Sequence, residues 1–308
     1  MSGPLNGFKI IEFAGLGPAP FAGMMLSDMG AEILRIDKMS SKSGENSGNG
    51  NFDILSRGRQ TLTIDLKKPD GALLALKMIE KADALIEGFR PGVMEKLGLG
   101  PEKCLKKNPK LVYGRMTGWG QEGPLSKFAG HDINYLSLTG ALHSIGRKGS
   151  NPTPPLNLVG DFGGGGMFLA FGIVCALIEA SKSKKGQVVD AAMVDGVTSL
   201  MAMVHGLLSA DIWEDKPASN FLDTGSHFYD TYKCLDGKYV ALGAIESKFY
   251  NPLAEALGLN KISEENEQMD KSRWPELKKK FSSVFLTKTR DEWCEIMKDK
   301  DVCFSPVL

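Results

Sequence analysis

The sequence predicts an α/β protein that consists of a doubly wound large domain and a smaller α+β domain. Short apolar strands alternate with helices over the first half of the chain, which is typical of a parallel sheet covered by helices. Beyond residue 225 this alternation ends, and a predicted hairpin is followed by several helices. A length of 308 residues and an apolar content of 42% supply enough material for two cores. We therefore expect a Rossmann-like first domain and a second, smaller one.

The large domain opens with a strand, a turn, a helix and a second strand, which together form a βαβ unit. Its predicted strands cover residues 9–13, 33–36, 61–66, 84–87 and 111–116, and its predicted helices cover residues 21–29, 71–81, 167–180 and 195–208. The first turn reads G-L-G-P-A-P and lacks the third glycine of a dinucleotide fingerprint. Pro18 and Pro20 also remove two N–H groups that would bind a pyrophosphate, so we expect no nicotinamide or flavin site here.

The small domain begins with two strands that flank the turn L-D-G-K and form a hairpin. Its predicted strands cover residues 229–233 and 239–242, and its predicted helices cover residues 252–257, 272–285 and 289–297. We place the large domain at residues 1–190, a helical connection and linker at 191–224, and the small domain at 225–308. Residues 40–51 are rich in serine, glycine and asparagine and are predicted to form a surface loop.

The charge balance argues against nucleic acid as a partner. Lysine plus arginine and aspartate plus glutamate number 37 each, and no basic stripe is visible. Five cysteines show no C-x-x-C spacing, which indicates free thiols in a reducing compartment. The N-terminus does not resemble a secretory signal. The longest uncharged apolar run, residues 162–178, is shorter than the roughly 20 residues that cross a bilayer, so we expect a buried helix and no membrane span.

Two segments contain the residues best suited to acid–base chemistry. His131 lies in F-A-G-H-D-I-N-Y, and an imidazole with an ordinary pKa of about 6.5 exchanges protons near neutral pH. Asp161 lies in N-L-V-G-D-F-G-G-G-G, where we expect it to cap the following helix and to stay ionised there. The glycines at 163–166 are expected to let a ligand approach the main chain closely. Facing each other across a pocket, these two groups could move a proton from one face of a carbon to the other.

Further side chains have both a simple and a functional interpretation. Glu246, at the end of the hairpin, is either a surface carboxylate or the group that holds the imidazole of His131 in one tautomer. Four basic residues lie beside predicted strand ends, where α/β sheets bind ligands: Arg57, Arg59, Lys67 and Arg90. Three methionines are either core residues or an adaptable surface for an acyl chain: Met193, Met201 and Met203.

The motifs together resemble the class III CoA-transferase family. The matching segments cover essentially the whole chain and include I-I-E-F-A-G-L-G-P-A-P-F, G-A-E-I-L-R-I-D, T-I-D-L-K-K-P, G-F-R-P-G-V-M-E-K-L, R-M-T-G-W-G-Q-E-G-P, A-G-H-D-I-N-Y, L-N-L-V-G-D-F-G-G-G and W-P-E-L-K-K-K-F. The G-H-D-I-N-Y and V-G-D-F-G-G-G segments are the most specific of them. The resemblance ends at Leu308, whereas members of the family continue with a tail that returns to the large domain.

The resemblance implies a role for each matching residue. His131 and Asp161 correspond to the two acid–base groups of the family, and Glu246 corresponds to the partner of the histidine. The matching positions of the CoA site are Lys38, Ile64, Asp65, Leu66, Lys67, Arg90, Gly130, Asp132, Ile133, Asn134 and Tyr135. Arg90 matches a phosphate-binding arginine, whereas Lys38 stands where the family often has arginine.

Within that family the resemblance is to members that interconvert the (2R) and (2S) forms of 2-methylacyl-CoA thioesters, in branched-chain fatty acid and bile-acid-type metabolism. This activity makes CoA part of the substrate and implies no separate cofactor and no metal. Two alternatives remain open: a class III CoA-transferase with Asp161 as nucleophile, or an inactive acyl-CoA-binding subunit. The resemblance also implies an interlocked homodimer and an intracellular location, in the peroxisome, the mitochondrion or both.

Overall fold

A six-stranded parallel sheet organises one unit of this protein, and a three-stranded antiparallel sheet organises the other. The computed structural model describes residues 3–38, 53–259 and 265–308. The large unit comprises Met1–Ala141 and Pro154–Met203, and the small unit comprises Leu142–Thr153 and Val204–Leu308. The predicted α/β class with a separate, smaller sheet is thereby confirmed. The predicted loop at residues 40–51 lies outside the described residues.

The order of the strands in the large sheet creates one distinctive position at its edge. The strands are β1 (Lys9–Phe13), β2 (Glu32–Lys38), β3 (Arg59–Ile64), β4 (Ala84–Glu87), β5 (Val112–Thr117) and β6 (Gln187–Ala192). They are arranged in the order β3-β2-β1-β4-β5-β6, and neighbouring strands are parallel. The order reverses between β1 and β4, and open α/β sheets bind ligands beyond the carboxyl ends of the strands at such a point.

Helices pack on both faces of this sheet because successive strand residues point to opposite sides. The helices of the large unit are α1 (Pro18–Asp28), α2 (Pro69–Ile79), α3 (Val93–Lys96), α4 (Pro101–Lys107), α5 (Asp132–Leu138), α7 (Phe168–Ser183) and α8 (Met193–Leu200). Two further helices, α6 (Ala141–Ser144) and α9 (Ala202–Ser209), begin in the large unit and lie mostly in the small unit. A short 3-10 helix covers Ile54–Ser56 and a π-helix covers Leu158–Met167. Ile10 belongs to the core beneath α1 and α7, whereas Ile11 belongs to the core beneath α2.

Three predictions for the segment between residues 18 and 209 were wrong. Helix α1 begins at Pro18, three residues earlier than expected, because proline at the first helical position lacks only an N–H that the helix does not use. Strand β6 was not predicted, and it pairs with β5 from Gln187 to Ala192, so the predicted domain boundary at residue 190 falls inside a strand. The single helix expected at 195–208 is two helices, α8 and α9.

The glycine run after Asp161 is helical and packs closely against two neighbouring helices. The main chain winds as a π-helix from Leu158 to Met167, and the N–H of Phe162 donates to the carbonyl of Asn157 at 3.2 Å. A β-carbon on Gly196 of α8 would lie 1.8 Å from the Gly164 carbonyl oxygen, and one on Gly166 would lie 2.8 Å from that of Pro18. The expected open ligand cradle is therefore wrong: these glycines allow helices to approach each other.

The π-helix and α7 form one apolar segment of 26 residues, Leu158–Ser183. Its length and mean hydropathy of 1.8 satisfy the requirements for crossing a membrane, because the helix extends beyond the uncharged run of residues 162–178 at both ends. One such helix is weak evidence for a span, because core helices of globular proteins have the same properties. Leu169 and Ile173 of α7 are fully buried, and both approach Gly114 of β5. We therefore interpret α7 as a core helix of the large unit.

The small unit contains the predicted hairpin and a third strand. Besides most of α6 and α9, it contains β7 (Tyr229–Lys233), β8 (Tyr239–Gly243), β9 (Phe304–Pro306), α10 (Ser247–Ala256), α11 (Glu265–Gln268), α12 (Trp274–Phe285) and α13 (Arg290–Met297). β8 pairs antiparallel with both β7 and β9. Helix α10 begins five residues before the predicted start and contains Pro252 inside it. Aromatic side chains, including Phe281 and Phe285, form the core of this unit.

Candidate active site

The loops that follow β1, β4 and β5 leave the large sheet at one edge and lead towards Asp161 and Tyr135. In the loop after β1, a β-carbon added to Gly17 would lie 3.0 Å from Asp161 Oδ2. In the loop after β5, a β-carbon on Gly118 would overlap the ring of Tyr135. From the loop after β4, the charge of Arg90 lowers the pKa of Tyr135. Side chains distant in sequence thus meet where the strand order reverses, which is the expected place for a ligand.

His131 occupies the position just before α5 and is exposed. Its main chain is extended, with φ −130° and ψ 175°, and its N–H donates to Asn134 Oδ1 at 3.0 Å. This bond fixes the point at which the helix begins, since the first N–H groups of a helix have no partner within it. Asn134 therefore helps to hold the main chain that carries the imidazole, although the imidazole itself remains open to solvent.

Asp161 lies in the first turn of the π-helix, not at the predicted capping position. Its N–H donates to Asp132 Oδ1 at 2.7 Å. Burial raises the pKa of its carboxyl group, and the charge of Asp132 raises it further. A hydrogen bond from the Asn157 side chain and the charge of His131 lower that pKa. The charge of His131 therefore acts on the Asp161 carboxylate, whereas their pairing as acid and base stays a prediction.

Tyr135 connects the remaining loops of this site. Its ring packs edge-on against Trp119, with 4.7 Å between the ring centroids. Burial raises its pKa to about 12, and the charge of Asp161 contributes in the same direction. The hydroxyl group therefore stays protonated at neutral pH and is able to donate a hydrogen bond. A β-carbon on Gly130 would lie 2.8 Å from this ring, so the absence of a side chain at Gly130 serves packing.

Comparison with known proteins identifies the family of this chain. The family model described as CoA-transferase family III matches residues 5–308 of this chain. The chain belongs to this family.

Relatives within the CoA-transferase family III cover almost all of the chain. The alpha-methylacyl-CoA racemase of Mus musculus is 49% identical over 305 residues, which cover 99% of this chain and 77% of the mouse protein. The alpha-methylacyl-CoA racemase of Homo sapiens is 45% identical over 306 residues, which cover 99% and 78%. The structure of a CAIB/BAIF family protein from Brucella suis has a TM-score of 0.81 at 23% identity and covers 100% of this chain and 85% of that chain, which supports the fold.

Among the residues that the family resemblance assigns to CoA, three exposed cations lie at the carboxyl edge of the large sheet. Lys38 ends β2 and is paired in register with Ile64 at the end of β3. Lys67 and Arg90 follow β3 and β4, and all three cationic side chains are exposed. Such cations attract phosphate groups, and an arginine can bind one with two parallel hydrogen bonds. Their binding of CoA stays a prediction.

Other residues assigned to CoA are used by the fold itself. Ile64 is 6% exposed and belongs to the core, and Leu66 packs against the same core. Asp65 Oδ1 accepts the N–H of Lys67 at 3.1 Å and so shapes a turn. Asp132 is buried, whereas Ile133 is exposed. Direct ligand contact from the side chains of Ile64 and Asp132 is therefore disfavoured.

Two basic residues predicted at a ligand-binding strand end lie at the opposite edge of the sheet. Arg59 begins β3, and its Nε donates to Glu12 Oε2 at 2.8 Å in a fully buried ion pair. Arg57 precedes that strand and pairs with Asp28. The prediction failed because Arg57 and Arg59 lie at the amino end of β3, whereas open α/β sheets bind ligands beyond the carboxyl ends of their strands.

Glu246 and the three methionines have different surroundings. Glu246 is an exposed residue of the small unit and directly precedes α10. Its pairing with His131 stays a prediction. Met193 is buried in the core of the large unit and meets Gly165, which favours the packing interpretation. Met201 is half-buried and Met203 is exposed, so an acyl-chain surface would use these two.

Sequence reasoning missed three residues of the site. Gly17 was seen only as part of a turn, yet it has φ +66° and faces Asp161. Asn157, four residues before Asp161, was not singled out, although that spacing places residues on one side of a helix. Trp119 packs on Tyr135, and its buried indole N–H finds no hydrogen-bond partner in the described parts of the chain.

Within the ranges that the structure describes, no three histidine, cysteine, aspartate or glutamate side chains cluster in a way that would hold a metal ion. The free cysteines include Cys104 and Cys234, which are buried, and Cys175 and Cys303, which are exposed.

Proposed function

We propose that this protein is an α-methylacyl-CoA racemase, which interconverts the (2R) and (2S) forms of 2-methylacyl-CoA thioesters. Two observations support the proposal. Relatives with this name are 49% and 45% identical over 99% of the chain. The charge of His131 also acts on the carboxylate of Asp161, which supports the assignment of these two groups as the acid–base pair.

The proposed reaction is a transfer of one proton out of and back into C2. The thioester acidifies the proton at C2, so that one of His131 and Asp161 removes it and gives an enolate. The other group then returns a proton to the opposite face of the planar carbon, which inverts the configuration. The raised pKa of Asp161 suits this role, because a carboxyl group that binds its proton more tightly is a stronger base when ionised.

Other residues have supporting roles in this mechanism. Glu246 would hold one tautomer of His131 and stabilise the imidazolium form. Lys38, Lys67 and Arg90 would attract the phosphates of CoA from one edge of the sheet. The substrate itself brings the CoA group. Proton removal and return leave the oxidation state unchanged, so the reaction needs no electron acceptor.

We further propose that the protein is a homodimer located in the peroxisome, the mitochondrion or both. One face of α7 is apolar and exposed, and it carries Phe168, Phe171 and Ile178. Such a face is usually covered by another protein surface. Sedimentation velocity of the wild type and of Phe171→Glu tests the dimer: a dimer that dissociates in the variant is expected, and a monomeric wild type would refute it.

Imaging of the tagged protein tests the compartment.

The decisive experiment follows hydrogen exchange at C2. Incubation of a (2S)-2-methylacyl-CoA with the protein in D₂O is expected to give deuterium at C2 together with the (2R) form. Transfer of CoA to an added carboxylic acid without this exchange would instead indicate a CoA-transferase in which Asp161 attacks the acyl group. Binding of the thioester without either reaction would indicate an inactive acyl-CoA-binding subunit.

The same assay tests the histidine. His131→Ala is expected to abolish deuterium incorporation while CoA binding, measured by calorimetry, is retained. His143→Ala is the matched control, because His143 is also an exposed histidine and pairs with Asp215 in the small unit. Full exchange activity in His131→Ala would contradict the assignment.

A further inference from the structure

The carboxylate of Asp132 is buried next to the main chain of Asp161. Asp132 is 7% exposed, and its Oδ1 accepts the N–H of Asp161 at 2.7 Å. Its second oxygen, Oδ2, is also buried and has no hydrogen-bond partner among the described residues. The side chain is therefore directed at Asp161 and away from solvent.

The local chain is adapted to this contact. A β-carbon on Gly160 would lie 2.5 Å from Asp132 Oδ1, so a larger residue at position 160 would push the carboxylate away from Asp161. The N–H of Asp161 lies in the first turn of its helix, where N–H groups need partners from outside the helix. Asp132 supplies that partner and ties the start of α5, beside His131, to the turn that carries Asp161.

The contact with the N–H of Asp161 does not by itself require a charged side chain at position 132. A neutral acceptor would hold the same N–H, whereas a buried carboxylate oxygen without a partner is unfavourable. Among the described residues, the charged and titratable groups that act on Asp161 or on its neighbour Tyr135 are Asp132, His131, Tyr135 itself and Arg90. Of the groups that act on Asp161, Asp132 raises its pKa and His131 lowers it.

We propose that Asp132 is a positioning residue for proton transfer, in which Oδ1 fixes the main chain of Asp161 and the buried carboxylate places a second negative charge beside it. This inference rests on the proposed racemase function. It assigns the Asp132 side chain to Asp161 and not to CoA. In this role the Asp132 side chain acts through Asp161.

Two variants separate the anchor from the charge. Asp132→Asn keeps an oxygen that accepts the N–H of Asp161 but removes the charge, whereas Asp132→Ala removes both. Glu32→Gln is the control, because it neutralises an exposed carboxylate at the start of β2, on the opposite edge of the same sheet. The first measurement is the titration of the Asp161 carboxyl carbon by NMR in ¹³C-aspartate-labelled protein, with the signal assigned from Asp161→Asn. This measurement does not require activity.

In Asp132→Asn, the titration midpoint of Asp161 is expected to move to lower pH, and the acid limb of the C2 exchange profile is expected to follow it. In Asp132→Ala, kcat is expected to fall by a further factor of about ten to a hundred, because the base is no longer held in place, while KM changes little. An unchanged Asp161 titration in Asp132→Asn, or an equal shift in Glu32→Gln, would overturn the inference. Failure of the wild type to exchange deuterium would refute the racemase function alone, since the NMR titration would still test Asp132.

Discussion

Gly17 and Asp161 approach each other so closely that a β-carbon on residue 17 would lie 3.0 Å from Asp161 Oδ2. The two residues are 144 positions apart, and they meet because the loop after β1 and the π-helix reach the same edge of the sheet. Gly17 has φ +66° and ψ −114°, which side chains disfavour. Glycine at position 17 therefore allows the backbone turn and also leaves room for the Asp161 carboxylate.

Gly17→Ala is expected to reduce C2 exchange about tenfold or more, because the methyl group displaces the Asp161 carboxylate. Gly7→Ala is the matched control. Gly7 also has a positive φ, +88°, but a β-carbon there meets nothing within 4 Å. Both variants should lose about 1–2 kcal/mol of stability from backbone strain, whereas only Gly17→Ala should lose activity. Equal activity of the two variants would contradict the proposed contact.

Asp161→Asn is expected to abolish exchange and to stabilise the fold at neutral pH. Because burial raises the pKa of Asp161 in the folded protein, the folded chain holds this proton to a higher pH than the unfolded chain does. The stability of the wild type therefore falls as the pH rises from the pKa of this group in the unfolded chain to its higher pKa in the folded protein. The amide of the variant does not titrate, so the variant shows no such loss. Thermal unfolding should give a higher Tm for the variant at pH 7, and the difference should shrink towards acidic pH. A lower Tm at pH 7 would argue against the raised pKa.

Glu87→Ala is expected to destabilise the protein by about 3–5 kcal/mol, because it leaves the buried charge of Arg115 with one partner fewer. Glu87 is 1% exposed and accepts Arg115 Nε at 2.9 Å. The control is Glu95→Ala, which removes the 44% exposed partner of the same arginine and should cost roughly 1 kcal/mol or less. Urea unfolding measures both changes, and similar losses would contradict this difference.

The pH dependence of Glu87→Ala has a defined sign. Burial raises the pKa of Glu87 to about 6, above its ordinary value. The folded wild type therefore binds this proton more tightly than the unfolded chain, and its stability falls as the pH rises from about 4.5 to about 6. The variant lacks this contribution, so its deficit should be larger at pH 5 than at pH 8. A deficit that grows with pH would indicate that the pKa is not raised.

Arg90→Ala is expected to weaken CoA binding about tenfold to a hundredfold, through the loss of a charge-assisted hydrogen bond to phosphate. Arg90→Lys should restore only part of the affinity, because an ammonium group lacks the planar fork. Lys96→Ala, which removes another exposed cation from α3, is the control. Isothermal titration with CoA at two salt concentrations measures the affinity. Equal losses of affinity in both alanine variants would mean that Arg90 contributes only its charge and makes no specific contact with CoA.

Local patterns were sufficient for several elements. Strands β1 and β4 lie at the predicted residues, because each is a short apolar run bounded by breaks. The hairpin of β7 and β8 also follows from a local signal, the turn L-D-G-K between two alternating segments. Elements whose form depends on residues distant in the sequence were harder to predict. Strand β6 is recognised only by its pairing with β5, since four of its six residues are exposed or half-buried and carry no continuous apolar signal.

The amino-acid sequence by itself determined the α/β class, the switch to a smaller antiparallel unit and the chemistry available at His131 and Asp161, because side-chain type and short-range periodicity are local properties. The tertiary structure alone decided that the glycine run packs against α1 and α8, that Asp132 anchors Asp161, and that Arg59 forms a buried pair with Glu12. These relationships join residues separated by about 30 positions or more. Their free energy depends on distance and burial, which are defined only when the chain has folded.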